Sequence, residues 1–328
     1  MIALRHPATV SLLLIACSQT SSQSHTMPKG NPAGATSSDA ASATVVDAAS
    51  TLVDASGARP SKTETLTIMA GGRPRTVIVH SPPNLQSPAA LIFNLHGSGG
   101  TAAAQEAYTN MDAAADRLGF IAAYAEGGIS LGGGFAWNVP GQPLADGTAV
   151  PADAGDDVAF FAQAIASLEQ SYPIDPKRIY FSGYSGGGRM TSQMGCDLPN
   201  LVAAVAPVAG LRFPSPCNSA RPVPVIAFHG TGDTTNPYNG GGPPYWTESV
   251  PSAEQHWGAH NGCAAAPSTS AAATGVELTA YTACAAGADV ELFTTEGAGH
   301  IWPGAPGQND AIDATSLMWS FFLAHPLP

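Results

Sequence analysis

One short run constrains the fold of this chain more than any other, because it joins an apolar strand to a helix through a glycine-flanked serine. Residues 178–188 read RIYFSGYSGGG, with Ser185 at the centre of a Gly-x-Ser-x-Gly motif. This is the layout of a nucleophile elbow, a tight strand-to-helix turn that exposes the serine hydroxyl. Larger residues beside the serine would collide with the neighbouring strand and helix. Because the chain contains 36 glycines, a glycine-rich turn with a capping serine is the alternative.

A serine hydroxyl becomes an effective nucleophile when a histidine takes its proton and an acid orients that histidine. Where the serine stands on such an elbow, the acid and then the histidine follow it along the chain. His300 has the expected position, after the strand-like run 290–293 and before the last helical segment. His229 ends an apolar run and is predicted to be a buried support for the next loop. Asp233 is the only carboxylate close to that loop and is the candidate acid, although an ordinary turn aspartate is the alternative.

The negatively charged oxygen that forms on an attacked ester carbonyl needs hydrogen-bond donors. The backbone N–H of Gly186, directly after the serine, is the first candidate. The second is expected in the loop 96–100 (HGSGG), between the apolar run 90–95 and a helical segment at about 102–118, where Gly97 or Ser98 can supply the amide. A phosphate cradle is the competing interpretation of this loop, but the Lys and Ser/Thr of a P-loop are missing.

From about residue 64 to the C-terminus the chain resembles the polyhydroxybutyrate depolymerase and feruloyl esterase group of α/β-hydrolases. The resemblance rests on stretches that occur in the right order: HGSG at 96–99, DDVAF at 156–160, IDPKRIY at 174–180, GYSGG at 183–187, HGTGD at 229–233, NGC at 261–263 and GHIWPG at 299–304. It implies an α/β-hydrolase fold, a mainly parallel central sheet with helices on both faces. It also implies a serine esterase with Ser185, Asp233 and His300 as nucleophile, acid and base. Tyr184 and Gly186 differ from the residues often found at this elbow, so the substrate pocket is expected to differ.

Strand-like runs alternate with helical stretches over the proposed catalytic domain, residues 61–328, as in a mainly parallel sheet. A long Gly/Pro-rich insertion, roughly 127–155, is expected on the active-site side, since loops of this length are usually functional or disordered. The predicted strands are 64–69, 75–80, 90–95, 119–124, 178–182, 203–208, 223–229 and 289–295.

The first 60 residues have a different composition from the rest. Residues 1–16 combine a basic start with a short apolar run, which predicts an export signal peptide. Residues 14–17 (LIAC) resemble a bacterial lipobox, which predicts a lipid on Cys17; a conventional secretory signal with an incidental cysteine is the alternative. Residues 17–60 are rich in Ser, Thr and Ala and are predicted to be a disordered tether. The protein is therefore expected to be exported, and either lipid-anchored at the cell envelope or secreted.

The other four cysteines form an even set, which suits an oxidising compartment, and they allow three pairings. Sequence proximity and the family resemblance favour disulfides between Cys196 and Cys217 and between Cys263 and Cys284. A metal site is the weaker alternative, because no pair has the Cys-x-x-Cys spacing of common zinc sites. No metal and no cofactor are predicted.

The net charge and the aromatic residues limit the kinds of ligand that this chain is expected to bind. The net charge is −12 with only 12 basic residues, so nucleic acid is not an expected partner. Tyr184, Trp302 and Trp137 are predicted to contact substrate, either stacking on a feruloyl ring or packing against hydroxybutyrate methyl groups. Trp257 and Trp319 are predicted to be core residues.

The expected protein is thus a monomer that cleaves polyester or oligoester bonds through an acyl-enzyme and touches membrane only through a lipid at Cys17. A feruloyl or acetylxylan esterase acting on plant cell-wall polysaccharide is the alternative function. A peptidase would use the same three residues, but no charged subsite for a peptide end is evident in the sequence. A non-catalytic surface lipoprotein that binds cell-wall polymer is a further alternative.

Overall fold

A twisted sheet lies at the centre of the computed structural model, which describes residues 60–83, 85–264 and 266–328. The predicted signal peptide, Cys17 and the tether up to residue 59 lie outside these residues. Within them the strands are β1 (Lys62–Ala70), β2 (Arg73–Ser81), β3 (Ala89–Leu95), β4 (Ile121–Ala125), β5 (Ile129–Leu131), β6 (Gly134–Ala136), β7 (Ile174–Tyr184), β8 (Ala204–Val208), β9 (Val225–Gly230), β10 (Ser268–Ala273), β11 (Val276–Tyr281) and β12 (Val290–Thr295). The helices are α1 (Ala102–Thr109), α2 (Met111–Leu118), α3 (Asp157–Ser171), α4 (Gly186–Asp197), α5 (Val250–His260) and α6 (Ala314–Ala324).

Ten of the described strands form one sheet, in the order β1-β2-β4-β3-β7-β8-β9-β12-β11-β10. The six strands from β4 to β12 in that order run parallel, whereas β2 joins β4 and β11 joins β12 in antiparallel fashion. The predicted α/β-hydrolase fold with a mainly parallel centre is therefore confirmed. Parallel strands end at the same edge, so the loops after β3, β7, β8, β9 and β12 meet there.

The central strands read as continuous apolar runs because helices cover both faces of the sheet. Every residue of β3, β4 and β8 is buried. Phe93 and Phe181 point to one face, where their rings stack 4.8 Å apart and contact Phe161 of α3. Tyr180 points to the other face and stacks on Phe322 of α6 at 4.4 Å. Trp257 and Trp319 are also buried, which confirms their prediction as core residues.

The eight predicted strands are present, but the prediction was incomplete in two respects. The single helical segment expected at about 102–118 is two helices, since Asn110 between them adopts a left-handed conformation with φ of 49°. Four strands were missed: the short hairpin β5–β6 inside the insertion, and the antiparallel strands β11 and β10, of which β10 forms the edge of the sheet.

Two disulfides tie the helices to neighbouring loops. Cys196, near the end of α4, bonds to Cys217, and Cys263, just after α5, bonds to Cys284. This is the pairing that the family resemblance implies, and such bonds fit export to an oxidising compartment. Among the helices the structure describes, none has the length and apolar character needed to cross a bilayer.

Candidate active site

Ser185 occupies the tight turn between β7 and α4, with φ of 55° and ψ of −114°. Such a conformation is strained for a residue with a side chain and persists only when its surroundings enforce it. Here they do so by close packing: a methyl group on Gly187 would come within 2.3 Å of the Leu95 carbonyl oxygen, and one on Gly183 within 2.6 Å of the Gly187 backbone. The amide of Ser185 donates to the Val208 carbonyl at 2.9 Å. The sequence therefore builds an elbow at the carboxyl edge of the sheet.

His300 and Asp233 meet at the same edge, on the loops after β12 and β9. His300 Nδ1 lies 2.6 Å from Asp233 Oδ2. Asp233 is buried, and its other oxygen accepts the amides of Thr235 and Asn236, both at 2.8 Å. Because a carboxylate accepts, Nδ1 carries the proton and Nε2 of His300 is the basic atom. The arrangement gives a histidine with its tautomer fixed for taking a proton from a serine.

The charge of Asp233 is held by its hydrogen bonds. Burial by itself raises the pKa of this carboxyl, but hydrogen bonds from His229, from His300 and from the Asn236 amide outweigh it, so the pKa of Asp233 lies well below its ordinary value. His229 is buried, and its Nε2 lies 2.8 Å from the Asn236 carbonyl and 3.3 Å from Asp233. This confirms the prediction that His229 is a buried support for the loop.

Tyr184, one residue before the serine, contacts the histidine loop directly. Its hydroxyl donates to the His300 carbonyl at 2.7 Å, and the two rings lie 4.9 Å apart. Its other face packs near Tyr108, 5.4 Å away, at the side of an open cleft of about 270 Å³ that the loop 96–100 also lines. Tyr184 therefore holds His300 in place and borders the space beside the loop 96–100.

The loop 96–100 packs against the elbow. A methyl group on Gly97 would lie 3.3 Å from Ser185 Cβ, and one on Gly186 would lie 2.9 Å from the Ser98 amide nitrogen. The amide nitrogen of Ser98 therefore lies beside Gly186. Both residues are well placed to supply backbone donors near the serine.

His96 braces this loop, a role that its position before the serine does not reveal. Its Nε2 accepts the Gly127 amide at 2.9 Å, so its Nδ1 donates to the Gly97 carbonyl at 2.8 Å. Burial is the main cause that lowers the pKa of His96 to about 4, which keeps the ring neutral. The β5–β6 hairpin adds a second brace, since Phe135 exchanges backbone hydrogen bonds with Gly99 and Gly100 at 2.8 Å each.

The prediction that Trp137 and Trp302 contact substrate is wrong. They are only 3% and 0% exposed, and both lie in the hydrophobic core. Trp137 Nε1 donates to the His96 carbonyl at 2.8 Å, and Trp302 Nε1 donates to Thr315 at 3.2 Å. An indole whose N–H has an internal acceptor can be buried without losing a hydrogen bond. Both residues support the site from behind.

The sequence interpretation also missed Arg189, on the first turn of α4. This residue is 3% exposed although it carries a guanidinium. Its Nη2 lies 3.3 Å from Ser98 Oγ, which places a positive charge next to the loop that packs on the elbow. A polar residue four positions after the serine was the available signal. Within the described residues, no cluster of metal-ligating side chains was found.

Comparisons with known proteins agree with an esterase of the α/β-hydrolase fold. Feruloyl esterase B of Piromyces equi is 33% identical over 239 residues, which cover 69% of this chain and 42% of that protein. "Putative esterase NocK" of Nocardia uniformis is 30% identical over 263 residues, covering 72% and 73%. Poly(3-hydroxyalkanoate) depolymerase C of Paucimonas lemoignei is 30% identical over 133 residues, covering 40% and 30%. The chain thus spans less than half the length of the first and third relatives. No protein-family model matches the chain.

A solved structure supports the fold. The acetyl xylan esterase from Aspergillus awamori superposes with a TM-score of 0.58 at 17% identity, covering 80% of this chain and 99% of that one. The fold and the serine elbow define an α/β-hydrolase. The extent and identity of the NocK match go further: the chain belongs to the polyhydroxybutyrate depolymerase and feruloyl esterase family of α/β-hydrolases.

Proposed function

We propose that this protein hydrolyses carboxylic esters through an acyl-enzyme formed on Ser185. The observation that carries the proposal is the 2.6 Å contact between His300 Nδ1 and buried Asp233 at the sheet edge where the strained elbow presents Ser185. A serine on an elbow and a tautomer-fixed histidine are the two parts that nucleophilic ester cleavage requires.

In the proposed reaction, Nε2 of His300 takes the Ser185 proton as Oγ bonds to the ester carbonyl carbon. The carbonyl oxygen becomes an oxyanion, which the amides of Gly186 and Ser98 stabilise. The C–O bond to the alcohol then breaks, and His300 gives its proton to the leaving oxygen. Water repeats the sequence on the acyl-enzyme and releases the acid. Asp233 remains ionised throughout and stabilises the imidazolium.

We propose oligoesters of hydroxy acids as the substrate, in line with the depolymerase relative. Esters of ferulic acid are the second candidate, because a feruloyl esterase is also among the relatives. With Trp137 and Trp302 in the core, the aromatic surface that borders the cleft beside the loop 96–100 comes from Tyr108 and Tyr184. Either substrate would meet these phenol rings.

The test compares kcat/KM for a 3-hydroxybutyrate trimer with kcat/KM for methyl ferulate, with the Ser185→Ala protein as the blank. Preference for the trimer supports the oligoester assignment, and preference for the ferulate transfers the assignment to cell-wall esters. Loss of both activities in Ser185→Ala supports the acyl-enzyme. Equal hydrolysis by wild type and Ser185→Ala would contradict it. Failure of the wild type to hydrolyse any ester would favour a non-catalytic binding protein.

We also propose that the exported protein is held at the cell envelope by a lipid on Cys17. The support is the sequence LIAC at 14–17, which lies outside the described residues. Cells fed a clickable fatty acid are expected to label the wild-type protein and not the Cys17→Ala protein. Equal labelling of the two would exclude this anchor.

A further inference from the structure

Arg189 is a buried cation that lacks a negatively charged partner among the described residues. Among the described residues its Nε has no hydrogen-bond partner, and Nη2 makes only the long 3.3 Å contact with the Ser98 hydroxyl. Its guanidinium carbon lies 4.3 Å above the Tyr245 ring. An aromatic ring stabilises a cation without neutralising it. The guanidinium of Arg189 therefore stacks on a ring and makes one long polar contact, but no negative charge neutralises it.

A second arginine lies nearby and is anchored by a neutral group. Arg212 Nη1 donates to Gln193 Oε1 at 2.8 Å. In the part of the chain that the structure describes, no carboxylate comes within 4 Å of either guanidinium. Burial foremost, and then the charge of Arg212, lowers the pKa of Arg189 to about 10, so Arg189 stays charged at neutral pH. An unpaired buried cation such as Arg189 is costly to fold unless an anion joins it.

Arg212 lines a cavity of about 360 Å³ together with Leu211, Tyr245 and Trp246. Arg189 contacts this cavity through Tyr245, on whose ring its guanidinium stacks. Gly210, the residue before Leu211, packs closely on the backbone of Ser185, since a methyl group on Gly210 would lie 2.4 Å from the Ser185 carbonyl oxygen.

One carboxylate, Glu248, also lines the cavity, and its oxygens are already engaged. Oε1 lies 2.6 Å from His256 Nδ1, and Oε2 accepts the Phe213 amide at 3.2 Å. The charges of Glu248 and of Asp197 favour the charged form of Arg212. Among the described residues, no carboxylate acts on Arg189 in this way, so its charge is the one left without an anion.

We propose that Arg189 and Arg212 bind a carboxylate carried by the ester substrate, which makes the enzyme selective for anionic esters. A guanidinium matches a carboxylate with two parallel hydrogen bonds, and Arg189 has donors to offer. This inference rests on the proposed ester hydrolysis and specifies its substrate class. The carboxylate can belong to the acyl side or to the alcohol side of the ester. The free acid end of a hydroxy-acid oligoester has this chemistry.

The test uses pairs of closely similar substrates of which one member carries a free carboxylate and the other is neutral. The acyl-side pair is 4-nitrophenyl glutarate and 4-nitrophenyl valerate, and the alcohol-side pair is the 3-hydroxybutyrate trimer and its methyl ester. The readout is the ratio of kcat/KM for the anionic member to that for the neutral member. The wild type is expected to favour the anion in at least one pair, and the pair that responds identifies the side.

Arg189→Gln is expected to lower that ratio about 10- to 100-fold, the effect of losing a hydrogen bond to a charged group. Arg189→Lys is expected to retain part of it, because the charge remains while the fork is lost. Arg117→Gln, on the exposed face of α2, removes the same charge elsewhere and is expected to leave the ratio unchanged. A ratio that is the same in wild type and Arg189→Gln would overturn the proposal.

A binding measurement separates this inference from the proposed reaction and remains available if Arg189→Gln does not fold. Calorimetry on the Ser185→Ala protein is expected to show binding of glutarate and not of glutaramide, with the affinity lost in Ser185→Ala/Arg212→Gln. Should the wild type hydrolyse no ester and glutarate still bind in this way, the anion site stands and the proposed function fails. Should esters be hydrolysed while glutarate and glutaramide bind alike, the anion site fails alone.

Discussion

Individual side chains in this site are defined by their partners more than by their exposure. The Oδ1 atom of Asp233 accepts two amides of its own loop, and Oδ2 contacts His300 and, at 3.3 Å, His229. Its neutral amide counterpart would offer an N–H or an oxygen to His300 without the charge. The geometry would be similar, but the histidine could adopt the wrong tautomer.

Asp233→Asn is therefore expected to lower kcat about 10³- to 10⁴-fold with little change in KM. Asp153→Asn, an exposed carboxylate that pairs with Arg73, is the matched control and is expected to keep full kcat. Steady-state kinetics on a 4-nitrophenyl ester would measure both. A kcat within tenfold of wild type in Asp233→Asn would remove Asp233 from the proposed mechanism.

The sequence identifies which residues form the site better than it identifies where their side chains point. Serine, acid and histidine follow one another in an order that the elbow prescribes, and the structure brings His300 and Asp233 into contact. Trp302 lies two residues from His300 along the chain, yet its ring turns into the core. Neighbours in sequence share a backbone path, whereas the direction of a side chain depends on which internal acceptors and gaps the folded chain offers.

The turn at the elbow leaves almost no space between the start of helix α4 and the neighbouring strand β3. The backbone carbonyl of Leu95, in β3, would lie 2.3 Å from a methyl group on Gly187, and neither backbone can move aside without shifting the sheet. A methyl group on Gly195, two turns later in the same helix, would meet side chains and no backbone: Val205 at 3.2 Å and Trp257 at 3.4 Å. The first glycine is required by the packing, and the second is not.

Gly187→Ala is accordingly expected to lower the free energy of unfolding by about 2 kcal/mol or more, as for other overpacked sites, and to reduce activity. Gly195→Ala is the control in the same helix. It is expected to stay within about 1 kcal/mol of wild type, because alanine favours the helix while the Val205 contact opposes it. Urea unfolding would compare them, and equal stability of the two variants would contradict the packing argument.

Helix α5 carries a buried acid that couples stability to pH. Glu254 is 4% exposed, and its Oε1 has no partner among the described residues. Burial, and then the charge of Glu277, raises the pKa of Glu254 to about 8. Since the unfolded chain ionises near its ordinary pKa of about 4.3, the unfolded state loses its proton first, and stability falls as the pH rises from that value towards about 8.

Glu254→Gln removes this titration. Its stability relative to wild type is expected to increase between about pH 5 and pH 8, by on the order of 1–3 kcal/mol. Glu169→Gln, exposed on α3, should show no such trend. Urea unfolding at several pH values measures the difference, and a constant offset for Glu254→Gln across this range would contradict the buried-acid account.

The strands and helices differ in how well they can be predicted from the sequence. β3 and β8 are continuous apolar runs covered by helices, and such runs are visible in the sequence. β10 reads STSAAA and is almost fully exposed at the edge of the sheet, so it carries no apolar pattern. It exists because β11 offers it hydrogen bonds. The break at Asn110 depends on one backbone conformation inside an otherwise helical run.

For the molecule as a whole, the two disulfides close loops of the same length but at different places. Each joins residues 21 positions apart. The bond between Cys196 and Cys217 fixes α4 to the loop that contains Phe213 and Ser215, two residues that line the 360 Å³ cavity beside Arg212. The bond between Cys263 and Cys284 joins the end of α5 to the segment after β11. Because the two closed loops have the same length, we expect loss of either disulfide to lower stability by a similar amount. Because only the first disulfide holds a loop of the cavity, we expect only its loss to affect substrate binding.

Cys196→Ser/Cys217→Ser and Cys263→Ser/Cys284→Ser are each expected to lose about 3 kcal/mol of stability. Only the first pair is expected to raise KM, because only it frees a wall of the cavity. Thermal unfolding and ester kinetics on the two double variants test this. An equal rise in KM for both would contradict the assignment of the cavity to substrate binding.

Mass spectrometry of the intact protein after treatment with a fluorophosphonate tests whether Ser185 is the nucleophile that forms the acyl-enzyme. We predict one adduct on the wild type, located on Ser185 by peptide mapping, none on Ser185→Ala, and ester hydrolysis reduced at least about 10⁴-fold in that variant. An adduct on another serine, or hydrolysis retained by Ser185→Ala, would contradict the mechanism.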